Sequence, residues 1–261
     1  NQDDAALLAL DPAKDKADAI VSEWMGYCLL YECMLETVLV AREKWLKPTS
    51  VSAASPSAGV LLPNRSTLVL AGVCDHKLWA SRVDFWDDVY GFNMSCFRDA
   101  PFAEPMLDHF DAATLCTETL PWHVLDHESM AVADLDFRRG FELSVKAEDG
   151  KGEGEGKVEK ERKLHAIMVS FDCEFAQEDG GDKVWLRTGC ADTPTHWKQT
   201  LLLIKVGVRH FDLCLLQGGG GGGGEPPPPL QWRRCVAALR VLRLAGVCAS
   251  CSPRASGRAQ R

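Results

Sequence analysis

Between residues 60 and 206 apolar side chains tend to recur at every second position, and a single stretch of helical period precedes them. This change of period constrains the fold of the 261-residue chain more than any other feature. From about Glu32 to Leu46, Leu35, Val38, Leu39, Arg42, Trp45 and Leu46 follow helical spacing, with Glu36, Glu43 and Lys44 outward. Ala17 to Val21 reads as a short buried strand ahead of that helix, and Pro48 with the Ser/Ala/Pro stretch to Gly59 ends it. Beyond it, Val60 to Leu62, Ser66 to Val73, Phe141 to Ala147, His165 to Phe175 and Lys198 to Val206 read as strands. In the fourth of these, Ile167, Val169, Phe171, Cys173 and Phe175 share one face. The expected fold is an α/β segment over residues 1–59 followed by a mainly antiparallel β-barrel or sandwich over 60–210.

Three segments carry no such period. Thr49 to Ser57 is a low-complexity loop, and the Gly/Glu/Lys alternation from Glu148 to Arg162 reads as a solvated hairpin insertion. Residues 211–261 hold a Gly/Pro linker and an Arg-rich tail, expected to be disordered. A net charge of -8 argues against a general nucleic-acid binder and favours cationic partners. The eleven cysteines lack a disulfide-type spacing and read as reduced thiols of the cytosol or nucleus. No apolar run is long enough to span a bilayer, since Lys205 interrupts the best candidate. Asn1 in place of an initiating Met reads as the start of a fragment.

The chemistry concentrates in Ser22-Glu23-Trp24-Met25-Gly26-Tyr27-Cys28-Leu29-Leu30-Tyr31-Glu32-Cys33-Met34. Glu23 follows a buried strand, where catalytic side chains of open α/β sheets often stand. Glu32 comes nine positions later across a Gly-containing turn, so the loop can bring both carboxylates to one site. A pair of facing carboxylates suits a guanidinium, which is planar, permanently charged and able to donate bidentately. Held between two anions, its charge is drawn to one side and the other terminal nitrogen is left freer to attack. An N-cap and a solvated helix residue would be the structural use of the same two residues, and a glycosidase acid/base pair another chemical one.

The neighbouring residues separate these readings. Ser22 to Tyr27 with Tyr31-Glu32-Cys33-Met34 resembles the double-Glu loop of type I protein arginine methyltransferases. Thr195-His196-Trp197-Lys198-Gln199-Thr200 resembles that family's Thr-His-Trp loop. Phe85 to Ser95 resembles its dimerisation arm, and Leu61 to Leu68 the strand pair opening its barrel. The resemblance covers about residues 17–205, in family order. It implies that residues 1–59 are the end of a Rossmann-like cofactor domain and 60–210 a barrel, with the arm at about 76–110 and carrying Trp86, Tyr90, Phe92 and Met94. It further implies that Glu23 and Glu32 grip the substrate guanidinium and that Met34 packs beside the sulfonium. His196 would handle protons and shape the pocket, Trp197 would form a wall, and Trp24, Met25, Tyr27, Tyr31 and Thr195 would line the same pocket.

The implied cofactor is S-adenosyl-L-methionine, the implied product asymmetric dimethylarginine, and the implied substrates Gly/Arg-rich proteins or histone tails. A homodimer in the cytoplasm or nucleus is expected, without membrane or direct nucleic-acid binding. The cofactor-binding loops should precede Ile20, yet Asn1 to Lys16 contains no glycine-rich loop, so this chain alone is expected neither to bind the cofactor nor to be active. A non-catalytic relative that keeps the barrel and arm for partner binding is the alternative. Other motifs are thin: His123 and His127 are spaced for one helical face but lack the HExxH pattern, and Cys248-Ala249-Ser250-Cys251 is a lone CxxC, so no metal site is expected.

Overall fold

A computed structural model describes residues 10–48, 58–146, 162–176, 182–205 and, for the backbone, 212–215. Strands β1 (Ala19–Val21) and β2 (Val60–Leu62) pair in parallel, Ile20 opposite Leu61. The chain between them carries helix α1 (Met34–Trp45). A helix of this length is marginal in water on its own, so its packed face fixes it. That face is Leu35, Val38, Leu39 and Arg42, all buried at the spacing of one helical stripe. Arg42 donates from Nη1 to the His127 carbonyl at 2.6 Å, tying the helix to the main sheet. Gly59 lets the chain return: a Cβ there would stand 2.3 Å from the Lys47 carbonyl oxygen.

The main sheet is antiparallel. Strand β3 (Arg65–Val73) lies between β5 (Leu120–Asp126) and β7 (Ala166–Phe175), and pairs with β7 along the whole of its own length. The other edge of β7 is shared. Ala166 to Val169 pair with β9 (Gln199–Leu203), and Asp172 to Phe175 with β8 (Val184–Arg187). Strand β4 (Met106–Asp108) closes the order β4-β9-β7-β3-β5. A separate pair joins β6 (Phe137–Gly140) to β10 (Asp212–Leu215).

Both faces of the β3-β7-β9 centre are covered. Leu68, Leu70, Ile167, Val169, Phe171, Cys173 and Leu202 join Trp24, Leu35 and Leu39 in one core. Ala71, Val73, Ala166, Met168, Leu201 and Leu203 form a second, against Val83, Trp79, Phe102 and Met106. Each fully buried Leu or Phe contributes roughly 1.5–3 kcal/mol over its exposed state. Two-sided burial explains why all five residues of β9 are buried, and why β3 is buried without a break from Leu68 to Val73.

The second core is roofed by residues 76–110. Helix α2 (His76–Arg82) starts on Asp75, whose carboxylate accepts from the Lys77 and Leu78 N–H groups at 2.9 and 3.0 Å. Single turns at Asp84–Asp87, Ser95–Phe97 and Ala100–Phe102 follow. Trp86 sits between Phe85 and Phe97, and its carbonyl accepts from Met94 N–H at 3.0 Å. Arg98 bridges Asp84 and Asp87. At the tip Val89 and Phe92 exchange hydrogen bonds around Tyr90 (φ 53°) and Gly91 (φ 90°). Tyr90 is 94% exposed and Phe92 72%.

Several expectations need correction. Residues 141–146 form no strand; β6 ends just before them, and Phe141 and Leu143 pack partly buried on the core without a ladder partner. Alternation there reports which side chains face inward, not a paired backbone. His123 lies on strand β5 and His127 just past its end, not on a helix. Among the described residues no cluster of His, Cys, Asp or Glu could hold a metal ion, and no helix is long and apolar enough to cross a membrane. Cys28, Cys74, Cys96, Cys116, Cys173 and Cys190 are free thiols, but Cys33 is disulfide-bonded, so the reduced reading fails at that position. The low-complexity loop at 49–57, the Gly/Glu/Lys segment up to 161, the linker and the Arg-rich tail lie outside the described residues.

Candidate functional site

The segment between β1 and α1 is a tight, folded loop. Ser22 N–H extends the β1-β2 pairing by donating to Leu62 O at 3.0 Å. Trp24 and Met25 then turn into the core, 2% and 5% exposed. Gly26 and Leu29 pair as an antiparallel bridge, and Cys28, Leu29 and Cys33 take left-handed φ values of 50°, 66° and 56°. That backbone brings Glu32 onto Gly26: a Cβ on Gly26 would lie 3.1 Å from both Glu32 N and Glu32 Cγ. Glycine is thus what lets the loop fold back.

The carboxylates of Glu23 and Glu32 are both exposed. Tyr27, Tyr31 and Met34 stand around the loop, 37%, 51% and 36% exposed, and the Tyr31 N–H donates to Tyr27 O at 3.1 Å. Glu32 and Met34 flank Cys33, the N-cap position of α1.

A second segment comes from the sheet. Residues 195–198 form a turn before β9, closed by Lys198 N–H on Thr195 O at 3.1 Å with Lys198 at φ 55°. His196 is exposed and stacks obliquely on Trp197, ring centroids 3.9 Å apart. Trp197 is buried, edge-on to Phe171, and donates its indole N–H to Met25 O at 2.7 Å. The Cys28 thiol lies against the Thr200 hydroxyl, with burial pushing it up to about 11. Lys198 Nζ stands 3.7 Å from Asp108, and that pairing helps hold Asp108 below the usual carboxylate range, after the His109 N–H bond.

The sequence-predicted residues therefore fall into two connected groups. Glu23, Trp24, Met25, Tyr27, Tyr31, Glu32 and Met34 share one folded loop; Thr195, His196 and Trp197 share the turn that Trp197 fastens to it. Trp24 is core rather than surface: its ring meets that of His127 edge-on at 5.1 Å. Trp86, Tyr90, Phe92 and Met94 stand apart from these groups, in the 76–110 segment.

Sequence reasoning missed the part played by His127. Its Nδ1–H donates to Pro63 O at 2.8 Å, its carbonyl accepts from Arg42, and its ring backs Trp24. Burial drives its pKa down to about 4, so it is a neutral pin joining the loop, α1 and the β2-β3 connection. His123 is likewise held low, to about 4, by burial and by Arg139, which donates to its Nδ1. The only signal in the sequence was the presence of two histidines amid apolar residues, which a metal site would share.

The chain is similar to known proteins in sequence and in fold. Residues 64–211 match the arginine methyltransferase oligomerization subdomain. Protein arginine N-methyltransferase 1 of Dictyostelium discoideum is 35% identical over 189 residues, covering 72% of this chain and 48% of that protein. The Caenorhabditis elegans protein of that name is 34% identical over 195 residues, covering 73% and 48%. The chain spans 40–48% of the length of the curated relatives it matches. Among solved structures, the Trypanosoma brucei PRMT1 enzyme–prozyme heterotetrameric complex with AdoHcy aligns at 31% identity and a TM-score of 0.62, covering 78% of this chain and 57% of that one. Arabidopsis thaliana protein arginine methyltransferase 10, at 23% identity and a TM-score of 0.55, shares the fold. With the subdomain match spanning more than half of its residues, the chain belongs to the protein arginine methyltransferases.

Proposed function

We infer that the whole protein transfers methyl groups from S-adenosyl-L-methionine to guanidinium nitrogens of protein arginines, and that this chain supplies the arginine-facing side of the site. The observation that carries the reading is the Trp197–Met25 hydrogen bond, which holds the His196 turn against the loop bearing Glu23 and Glu32. A guanidinium entering between the two exposed carboxylates would be gripped bidentately and oriented, which is where a poor nucleophile gains most. Drawing positive charge toward the carboxylates leaves the opposite terminal nitrogen with the lone pair to attack. His196, stacked on Trp197 at the rim, would receive or relay the released proton, while Tyr27, Tyr31, Thr195 and Trp197 exclude water.

The cofactor supplies an electrophilic methyl on a sulfonium. Only Met34 and its neighbours suit it here, as soft apolar contacts beside the sulfur. The residues described before β1 offer no glycine-rich turn for its nucleotide, so these residues do not by themselves form a cofactor site. Relatives support its use: the Trypanosoma brucei complex contains AdoHcy. Asymmetric dimethylation, Gly/Arg-rich or histone substrates and a cytoplasmic or nuclear location complete the reading.

The 76–110 segment would act as a dimerisation arm through Tyr90 and Phe92, whose exposure leaves large aromatic area for a partner. Those same two side chains favour a second reading, in which the chain is a non-catalytic subunit that joins an active relative. One experiment separates the two. The protein extended to the length of its relatives is incubated with S-adenosyl-L-methionine and a Gly/Arg-rich peptide, beside Glu32→Gln. Methylation that disappears in the variant supports the first reading. A folded, oligomeric protein that transfers nothing, alone, but raises the rate of an active relative supports the second.

A further inference from the structure

The 76–110 segment leaves the main sheet and returns to it through a narrow neck. On the way out, Cys74 N–H donates to Thr114 O at 2.9 Å; on the way back, Cys116 N–H donates to Gly72 O at 2.9 Å. Val73 and Leu115 face each other between these bonds. Cys74 and Cys116 therefore stand diagonally across the neck, one on each foot of the excursion. Both are free, Cys116 fully buried and Cys74 half-buried. Their side chains are close enough to interact: after burial, the Cys74 side chain is the next cause that raises the Cys116 thiol.

We propose that Cys74 and Cys116 are a dithiol–disulfide couple, modified by small-molecule disulfides of the glutathione type, that staples the neck of the 76–110 segment. The proposal is independent of the methyltransferase reading. The order of events follows from exposure and charge. Burial and the contact with Cys74 push Cys116 up to about 12, so its proton stays on and Cys74, which solvent reaches, attacks first. The Cys74 thiolate attacks one sulfur of oxidised glutathione, forming a mixed disulfide and expelling one glutathione thiolate. Cys116 then attacks the Cys74 sulfur and expels the second, its proton passing to the glutathione thiolate that leaves. Two protein thiols are oxidised and one glutathione disulfide is reduced to two thiols.

The geometry makes this bond a labile one. Diagonal neighbours across an antiparallel pair lie ~7–8 Å apart, beyond the ~4.4–6.8 Å Cα spacing of a relaxed disulfide. The ladder must draw in slightly, which it can do because β3 ends at Val73. Strained disulfides are the easily reduced, regulatory ones. Oxidation would fix the angle at which the segment leaves the sheet, since Asp75, the cap of α2, follows Cys74 directly.

The test uses the full chain with Cys96→Ser, because Cys96 is an exposed thiol within the segment. After oxidised glutathione and thiol blocking, trypsin is used to nick at exposed Arg82, between the two cysteines. The expected result is a cross-linked peptide joining Cys74 to Cys116 in the tryptic map, present without reductant and lost with it. Cys74→Ser should abolish the link, and Cys116→Ser should leave glutathione on Cys74. A tryptic map without that cross-linked peptide, a persistent glutathione adduct on Cys74 beside an intact Cys116, or a bond from either residue to another cysteine would overturn the proposal.

Discussion

Trp197 and Met25, 172 positions apart in sequence, are joined by a buried hydrogen bond of 2.7 Å from the indole N–H to the main-chain carbonyl. The indoles of Trp24 and Trp122 are buried without such a partner among the described residues. Of these three buried indoles, Trp197 is the one whose N–H is used, and it fixes one loop against another. A hydrogen bond of this kind adds direction to packing: burial holds the two segments together, and the N–H sets their register.

Removing that donor should therefore separate register from packing. Trp197→Phe keeps an aromatic ring edge-on to Phe171 but leaves Met25 O unpaired in the core. We expect a loss of about 1–3 kcal/mol from the unmet carbonyl, with further loss from the missing ring volume. Denaturant unfolding of this chain measures it, with Trp197→Leu as the volume control. Both variants lack the donor, so a loss common to both belongs to the bond; a loss negligible in Trp197→Phe and present only with the smaller Leu would trace the effect to volume alone and leave the bond without weight.

Gly26 is the next point at which geometry can be tested. An alanine methyl would meet Glu32 N and Cγ at 3.1 Å, closer than ordinary contact, so Glu32 must move by a few tenths of an ångström. Because the displaced group is exposed, stability should change by less than about 1 kcal/mol. In the extended protein, methylation should fall by about tenfold or more, since clamping depends on carboxylate position. Rates unchanged in Gly26→Ala would show that Glu32 does not need this placement.

Acid should weaken the fold through His127. Its folded pKa is depressed to about 4 from an ordinary 6.5, so its contribution is complete above about pH 6.5. In the window between these values the unfolded chain binds the proton and the folded one does not, so stability falls as pH falls. For a side chain with no exposed surface the total is on the order of 3 kcal/mol. His127→Asn places an amide N–H where Nδ1–H donates to Pro63 O, and its amide does not titrate. Its unfolding free energy should be lower at neutral pH but flatter between pH 6.5 and 4. An unchanged slope would assign the acid limb to other groups, His123 first.

These residues also show what could be read in advance. Helix α1 was legible from its one inward stripe, and strands β3, β7 and β9 as runs rich in apolar residues that are buried on both faces. Strand β5 was not. Between Leu68 and Val69 its register with β3 shifts, leaving Trp122 as an extra residue, so the inward side chains Leu120, Trp122 and Leu125 are spaced by two and then three. Strand β8 was hidden for a different reason: Val184 and Trp185 are exposed on an edge, and no alternation marks them. At the site, the motif residues of both loops were legible as types. Their fastening through Met25 O and the backing of Trp24 by His127 were not, because a main-chain carbonyl and a neutral buried histidine leave no pattern in a sequence.

The tip of the 76–110 segment gives the last test. Tyr90 and Phe92 are 94% and 72% exposed, so neither gains much from contacts within its own chain. Replacing both with Ser should leave the melting temperature of an isolated subunit almost unchanged, since exposed positions contribute within about ±0.5 kcal/mol each. The local turn should persist, because it is held by the Val89–Phe92 main-chain bonds and by Asp88 accepting from Gly91 N–H at 2.7 Å. If these rings are anchors on a second subunit, association should weaken by about tenfold or more, as aromatic anchors at an interface centre do. Sedimentation over a dilution series measures the dissociation constant directly. A wild-type chain that stays monomeric at all concentrations, or a double variant that associates as tightly as the wild type, would remove the arm from the interface and leave the exposed aromatics to another partner.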